Sequence, residues 1–282
     1  MEDNNTQNGT FKKIREMVRL QEALNTSTNG TEWKNGYTDK GKVISWSRCI
    51  YMEGAEAIDS FKGWKHWKDI DAGVDYKNLK IEAIDIWHFA ISKLLSEFSG
   101  EEITTLIMFP LFKETPLPVS QEIMKSKDWQ DKTISLIESL MLLSLIDISS
   151  ERTVKRTIDN RGMQSSTEQV LRNEKLIHIL FLLFNHLGMD IDEVFSLYMG
   201  KNVLNSFRRN HNYMGDEDGN RYIKVWGKYL SSPYLPNDED NVVMERVIGN
   251  ISSSGKDVSF KAIYGGLEAV YKCVIDSHNK QI

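Results

Sequence analysis

The 282-residue chain has only two cysteines and five prolines, and its 35 Lys and Arg are outnumbered by 40 Asp and Glu. Cys49 and Cys273 form no CxxC and no Cys/His spacing, so neither a disulfide framework nor a zinc site is implied, and both read as reduced structural thiols. A net charge of −5 leaves no global positive field to attract nucleic acid. Anionic ligands must therefore be met by local lysines and arginines, and direct nucleic-acid binding is not expected. Long hydrophobic runs are also scarce. The greasiest, Leu176 to Leu187, is interrupted by His178, Asn185 and His186 and falls well short of the about 20 residues of a membrane span. Met1 to Thr10 is polar and Asn-rich, unlike the apolar centre of a signal peptide. The protein is expected to be soluble and cytoplasmic, with no membrane partner. Internal repeats, low-complexity tracts and a clear linker are lacking too.

What the chain does contain is helical periodicity. A 40% hydrophobic content is enough for a real core. Phe11 to Asn25 places Ile14, Met17, Val18, Leu20 and Leu24 at helical spacing. Further helices are expected from Trp46 to about Phe61, Ile81 to Phe98, Gln121 to Ile148, Glu168 to Leu187, from Asp190 onward, weakly from Val242 to Ile251, and from Val258 to Ile275. Leu140 to Ile146 reads as too hydrophobic to be exposed. Pro110, Pro116 and Pro118 break continuity, and the polar stretch Ser149 to Thr167 reads as a loop. Trp64 to Lys80 also reads as a loop, with Trp67 as a packing anchor. The fold class is all-α, a multi-helix bundle in one domain over 1–282, with a helical insertion around 99–172 as the candidate mobile segment.

Two of these helices carry acids among apolar residues. Glu53 and Glu56 lie three apart among Ile50, Met52, Ala55, Ala57 and Ile58; Glu82 and Asp85 lie three apart among Ile81, Ala83, Ile84, Ile86 and Trp87. Residues three apart share a helix face, so each pair aims two carboxylates one way. Either pair alone is most simply a solvated face. Both together, separated by Trp64, Lys65, Trp67 and Lys68, read as inward carboxylates that need a cation, and Mg2+ is the natural choice because it takes carboxylate oxygens and leaves positions for phosphates. Farther on, Lys201, Asn205 and Arg208 recur at spacings of four and three. They are either a solvated basic stripe or a phosphate clamp.

The order E-x-x-E, W-K-x-W-K, E-x-x-D-x-x-H-F, and then Gly200 to Arg208, resembles the dimeric all-α dUTPases of the trypanosomatid and Campylobacter type. Cys49-Ile50-Tyr51-Met52-Glu53 and Asp85-Ile86-Trp87-His88-Phe89 are especially close to the bacterial members. The resemblance covers most of Leu20 to Asn241. It implies a fold of the all-α NTP pyrophosphatase type, a homodimer, and Mg2+-dependent hydrolysis of dUTP and dUDP to dUMP. It also implies water attack on the β-phosphorus, with Glu53 as the base, and Glu53, Glu56, Glu82 and Asp85 as metal ligands. Gln21, Asn25 and Asn205 would read the uracil edge, since amides supply both donors and acceptors. His88 and Phe89 would lie near the deoxyribose, and Trp64 and Lys65 near base and phosphates. Lys201, Arg208, Tyr213 and Lys224 would contact phosphates. The chain departs from the family pattern at Asn212 and Met214, where a glycine and a lysine are usual. A pyrophosphatase of the same fold with another nucleotide preference, or a non-catalytic interaction protein, are the competing readings.

Overall fold

The computed structural model describes residues 2–64, 67, 73–108, 119–155, 167–211 and 240–279. Among the described residues the regular elements are helical: α1 (Glu2–Asn29), a short 3-10 helix (Thr31–Asn35), α2 (Trp46–Asp59), α3 (Tyr76–Leu95), α4 (Gly100–Met108), α5 (Gln121–Lys125), α6 (Lys127–Lys155), α7 (Thr167–His186), α8 (Ile191–Asn210), α9 (Asp240–Ser253) and α10 (Phe260–Asn279). Extended pairing there is limited to an isolated antiparallel bridge between Tyr37 and Val43. The protein is all-α, as its periodicity implies.

The helices begin where side chains can accept from otherwise orphaned amide N–H groups. The Arg48 amide donates to Ser45 at α2, that of Asn78 to Asp75 at α3, that of Glu193 to Asp190 at α8 and that of Ala262 to Ser259 at α10. At α4, Ser99 and Glu102 each accept from the other's backbone N–H. Ser126, in extended backbone, separates α5 from α6 and caps α6 by accepting from the Trp129 amide.

The residues group into two compact units, Met1–Phe195 and Ser196–Ile282. In the first, α3 is the central helix. It is buried almost continuously from Ile81 to Leu95, with α1, α2, α4 and α7 packed on it. On the other side of α2 lies α6, which also pairs with α7. A Cβ at Gly54 of α2 would stand 2.6 Å from Met141 Cγ on α6, so glycine is what lets these two helices come so close. Trp87 meets Phe181 and Phe184 edge-on, with ring centroids 5.4 and 6.3 Å away.

One patch of this core is ionic. Buried Lys93 Nζ on α3 lies 3.1 Å from Glu97 Oε1, 3.3 Å from Asp147 Oδ2 on α6 and 2.6 Å from Asn173 Oδ1 on α7. Arg172 Nε donates to Asp147 Oδ1 at 2.8 Å, and Asn173 Nδ2 to Glu97 Oε2 at 2.7 Å. Two cations and two carboxylates thus balance within one hydrogen-bonded group, the condition under which buried charge is tolerated.

In the second unit α9 and α10 pack together. A Cβ at Gly200 would come within 2.5 Å of Ile248 Cδ1, which fixes a close approach of α8 to α9. Phe207 centres an aromatic group with His211, Tyr264 and Tyr271 at centroid distances of 4.2, 5.5 and 5.8 Å.

The expectation of a loop from Trp64 to Lys80 is corrected at its end, because α3 begins at Tyr76 under an Asp75 cap, and two expectations about α6 are corrected as well. Leu140 and Leu143 are buried, but Leu142 is 59% exposed and Leu145 and Ile146 are exposed as well. The reason is that α6 buries only the stripe facing α2 and α7. The polar stretch beginning at Ser149 is not loop from its start, because α6 runs on to Lys155; its Glu, Arg and Lys are adequate helix formers where nothing demands burial. Pro110, Pro116 and Pro118 lie outside the described residues. No described helix is long and apolar enough to cross a membrane.

Replacing Lys93 with Met leaves buried Asp147 and half-buried Glu97 without their shared cation. Urea unfolding should show a loss of about 3–5 kcal/mol; a loss below about 1 kcal/mol means that the network does not hold α3, α6 and α7 together.

Candidate active site

Three acids converge between α2 and α3. One carboxylate oxygen from each of Glu53, Glu82 and Asp85 lies within 4.8 Å of the others; Glu82 is buried and the other two are half-buried. Capping by Ser45 and Asp75 starts the two helices, and the burial of Ile50 and Ala57 on one and of Ala83, Ile84 and Trp87 on the other orients them. Glu56 is not in this group. Three residues advance about 300° around a helix, which leaves Glu56 about 60° from Glu53, and here that rotation turns it to solvent.

Cys49 sits one turn before Glu53, half-buried. Burial, and secondarily the Glu53 carboxylate, push its thiol up from 9.0 to about 11. The thiol is therefore protonated at neutral pH.

Farther along α3 the polar face continues into a buried amide pocket. Gln21 and Asn25 of α1, and His88 and Ser92 of α3, are all buried. His88 Nδ1 donates to Gln21 Oε1 at 2.6 Å. Gln21 Nε2 donates to Ser92 Oγ at 2.9 Å and to Asn25 Oδ1 at 3.0 Å. Asn25 Nδ2 is a buried donor with no hydrogen-bond partner among the described residues, and so is Trp46 Nε1. Trp46 stacks on Phe89 with centroids 6.2 Å apart and meets Trp33 edge-on at 6.2 Å, while Trp33 Nε1 donates to Thr26 on α1. An aromatic wall thus links α1, α2 and α3 beside the amides. From Asp85 to Ser92, about 10 Å of helix axis separates the acids from the amides.

Trp64 and Trp67 are both exposed and meet edge-on at 5.5 Å, and Trp64 Nε1 donates to Asp59 at 3.1 Å. Trp67 is therefore not a packing anchor. Lys65, between them in sequence, lies outside the described residues, as do Tyr213 and Lys224.

In the second unit, Lys201 and Arg208 face the start of α9. Lys201 Nζ donates to Asn241 Oδ1 at 3.3 Å; Arg208 makes a two-pronged pair with Asp240, Nε to Oδ2 and Nη2 to Oδ1 at 2.7 Å each, and donates through Nη1 to Asn205 Oδ1 at 3.3 Å. The spacing of four and three does gather Lys201, Asn205 and Arg208 along one face of α8. Trp46 and Ser92 were not singled out as site residues in the sequence. Ser92 alone carried a usable signal there, lying four residues beyond His88 on the same face.

An all-α protein that sets carboxylates from two neighbouring helices at one end of a polar stripe, and buried amides at the other, has the construction of a nucleotide hydrolase. Residues 13–213 match the family model described as dUTPase. The chain belongs to the dUTPase family and is a dUTP diphosphatase. A search of curated proteins gave no match.

The raised Cys49 pKa has a direct consequence. The folded state favours the protonated thiol, so its contribution to stability is full below pH 9.0 and is lost as pH rises toward 11. At pH 8 a thiol of pKa about 11 is only about one part in a thousand thiolate. Iodoacetamide at pH 8 should therefore alkylate exposed Cys273 at least about tenfold faster than Cys49, as read by mass spectrometry; equal rates contradict the buried setting of Cys49.

Proposed function

We propose that the chain is a Mg2+-dependent dUTPase that converts dUTP, and also dUDP, to dUMP, releases pyrophosphate from dUTP, and so keeps uracil out of DNA. The observation that carries this reading is the convergence of Glu53, Glu82 and Asp85 to within 4.8 Å. Their donor set fits Mg2+, being all hard carboxylate oxygen. Glu53, Glu82 and Asp85 would hold the cation, while Glu56 is turned to solvent one turn along α2. When bound, the cation neutralises phosphate charge and lowers the pKa of water.

The chain's own residues do the rest. Glu53 takes the proton of the attacking water, whose oxygen bonds to the β-phosphorus while the bond from β-phosphorus to the bridging α-phosphate oxygen breaks. Gln21, Asn25 and Asn205 pair with the uracil edge, and His88 and Phe89 close against the deoxyribose, where a 2′-hydroxyl is disfavoured. Trp64 and Lys65 contact base and phosphates, and Lys201, Arg208, Tyr213 and Lys224 hold the phosphates. In this reading both units act as one functional domain over 1–282, in a cytoplasmic homodimer without nucleic-acid or membrane partners. The exposed Leu142, Leu145 and Ile146 on α6 support self-association.

Glu53→Gln and Glu82→Gln should each lower kcat/KM for dUTP by about 100-fold or more at saturating Mg2+, with helical circular dichroism unchanged. Turnover within about twofold of wild type contradicts the assignment of these acids. Assays with dUTP, dCTP, dTTP and UTP should favour dUTP, because a site built to hydrogen-bond one base edge leaves groups unpaired against another; equal rates overturn the uracil reading.

A further inference from the structure

The amide pocket has a fixed hydrogen-bond polarity, and one serine sets it. Ser92 has a single hydroxyl proton, and its two acceptors are the His88 backbone carbonyl at 2.8 Å and Asn25 Oδ1 at 3.3 Å. The nearer one is the preceding turn of its own helix, the usual partner of a helical serine. With the proton spent on acceptors, Ser92 Oγ can only accept from Gln21. It does so, from Gln21 Nε2 at 2.9 Å.

The orientation of Gln21 follows. With Nε2 facing Ser92, Oε1 faces His88, whose Nδ1 must carry the proton of the 2.6 Å bond. The second Nε2 proton of Gln21 reaches Asn25 at 3.0 Å, so the Asn25 atom there is Oδ1. Asn25 Nδ2 is thereby turned away from the network. It is the buried donor with no partner among the described residues, on a side chain only 4% exposed. Turning Gln21 over would set its oxygen against the lone pairs of Ser92 and leave its NH2 facing the Nδ1 proton.

We propose that Ser92 is the positioning residue that locks the amides of Gln21 and Asn25 and presents Asn25 Nδ2 as a fixed donor, selecting a pyrimidine carbonyl over an amino group at the same place. This rests on the reading of the amide pocket as the base site. Ser92 makes no contact with the base in this scheme; it is 0% exposed and acts through Gln21 and Asn25. The discriminating ring position is the one where uracil carries an oxygen and cytosine an NH2 group, because a fixed donor attracts the first and meets the protons of the second.

Ser92→Ala removes the acceptor that orients Gln21. The ratio of kcat/KM for dUTP to that for dCTP should fall about tenfold or more, mostly through KM, and Ser92→Thr, which keeps the hydroxyl, should retain the ratio. A second readout needs no turnover. Nitrogen-15 NMR of the wild-type protein should show His88 as the Nδ1–H tautomer, and Ser92→Ala should show a mixture of tautomers. An unchanged base preference in Ser92→Ala overturns the proposal, and so does an Nε2–H tautomer in the wild type. If His88 responds to Ser92→Ala but the wild type never distinguishes dUTP from dCTP, the serine relay stands and the assignment of the pocket to a base falls.

Discussion

Carboxylates repel, and bringing three of their oxygens within 4.8 Å requires a scaffold that leaves them little freedom to part. Here the scaffold is the pairing of α2 with α3. The latter cannot rotate, because its buried surface runs almost all the way around it, and the former cannot withdraw, because α6 closes behind it at Gly54 with Met141 in the space a side chain would need. The acids are presented by two helices that the core itself clamps. An oxygen-only cluster held this way answers to a hard cation far better than to any neutral ligand.

The same central helix organises three polar environments with different ends. Near its start, Glu82 and Asp85 meet Glu53. Two turns on, His88 and Ser92 meet the amides of α1. One residue farther, Lys93 enters the ionic group with Glu97, Asp147 and Asn173 on its opposite flank. That group balances its charges internally and serves cohesion. The amide pocket does not close on itself, since Asn25 Nδ2 finds no partner among the described residues, and buried donors of this kind are costly unless a ligand uses them. The ionic group thus satisfies its charges internally, whereas the amide pocket keeps a buried donor without a partner among the described residues.

Most of the fold was legible in the sequence because helical periodicity and caps are local signals. The centres of α1, α2, α3, α7, α8 and α10 follow from the spacing of apolar residues, and the acids of α2 and α3 stood out for lying inside such runs. What could not be read depends on neighbours distant in sequence. Nothing local says that Leu142, Leu145 and Ile146 face outward, since that is decided by where α2 and α7 lie. Nothing local separates Glu56 from Glu53, because a three-residue spacing holds equally for Glu82 and Asp85, which do share the cluster. Trp67 is exposed although tryptophan is usually a core anchor, and Ser92 looked like any helical serine until α1 was placed against it.

Whether the acids of α2 and α3 form a cation site can be seen by anomalous X-ray diffraction from crystals of the protein grown with Mn2+ in place of Mg2+. The expected result is an anomalous peak within coordination distance of carboxylate oxygens of Glu53, Glu82 and Asp85, absent from crystals of Glu82→Gln. A map with no peak at these three residues, or with manganese bound only elsewhere, shows that these acids do not hold a cation.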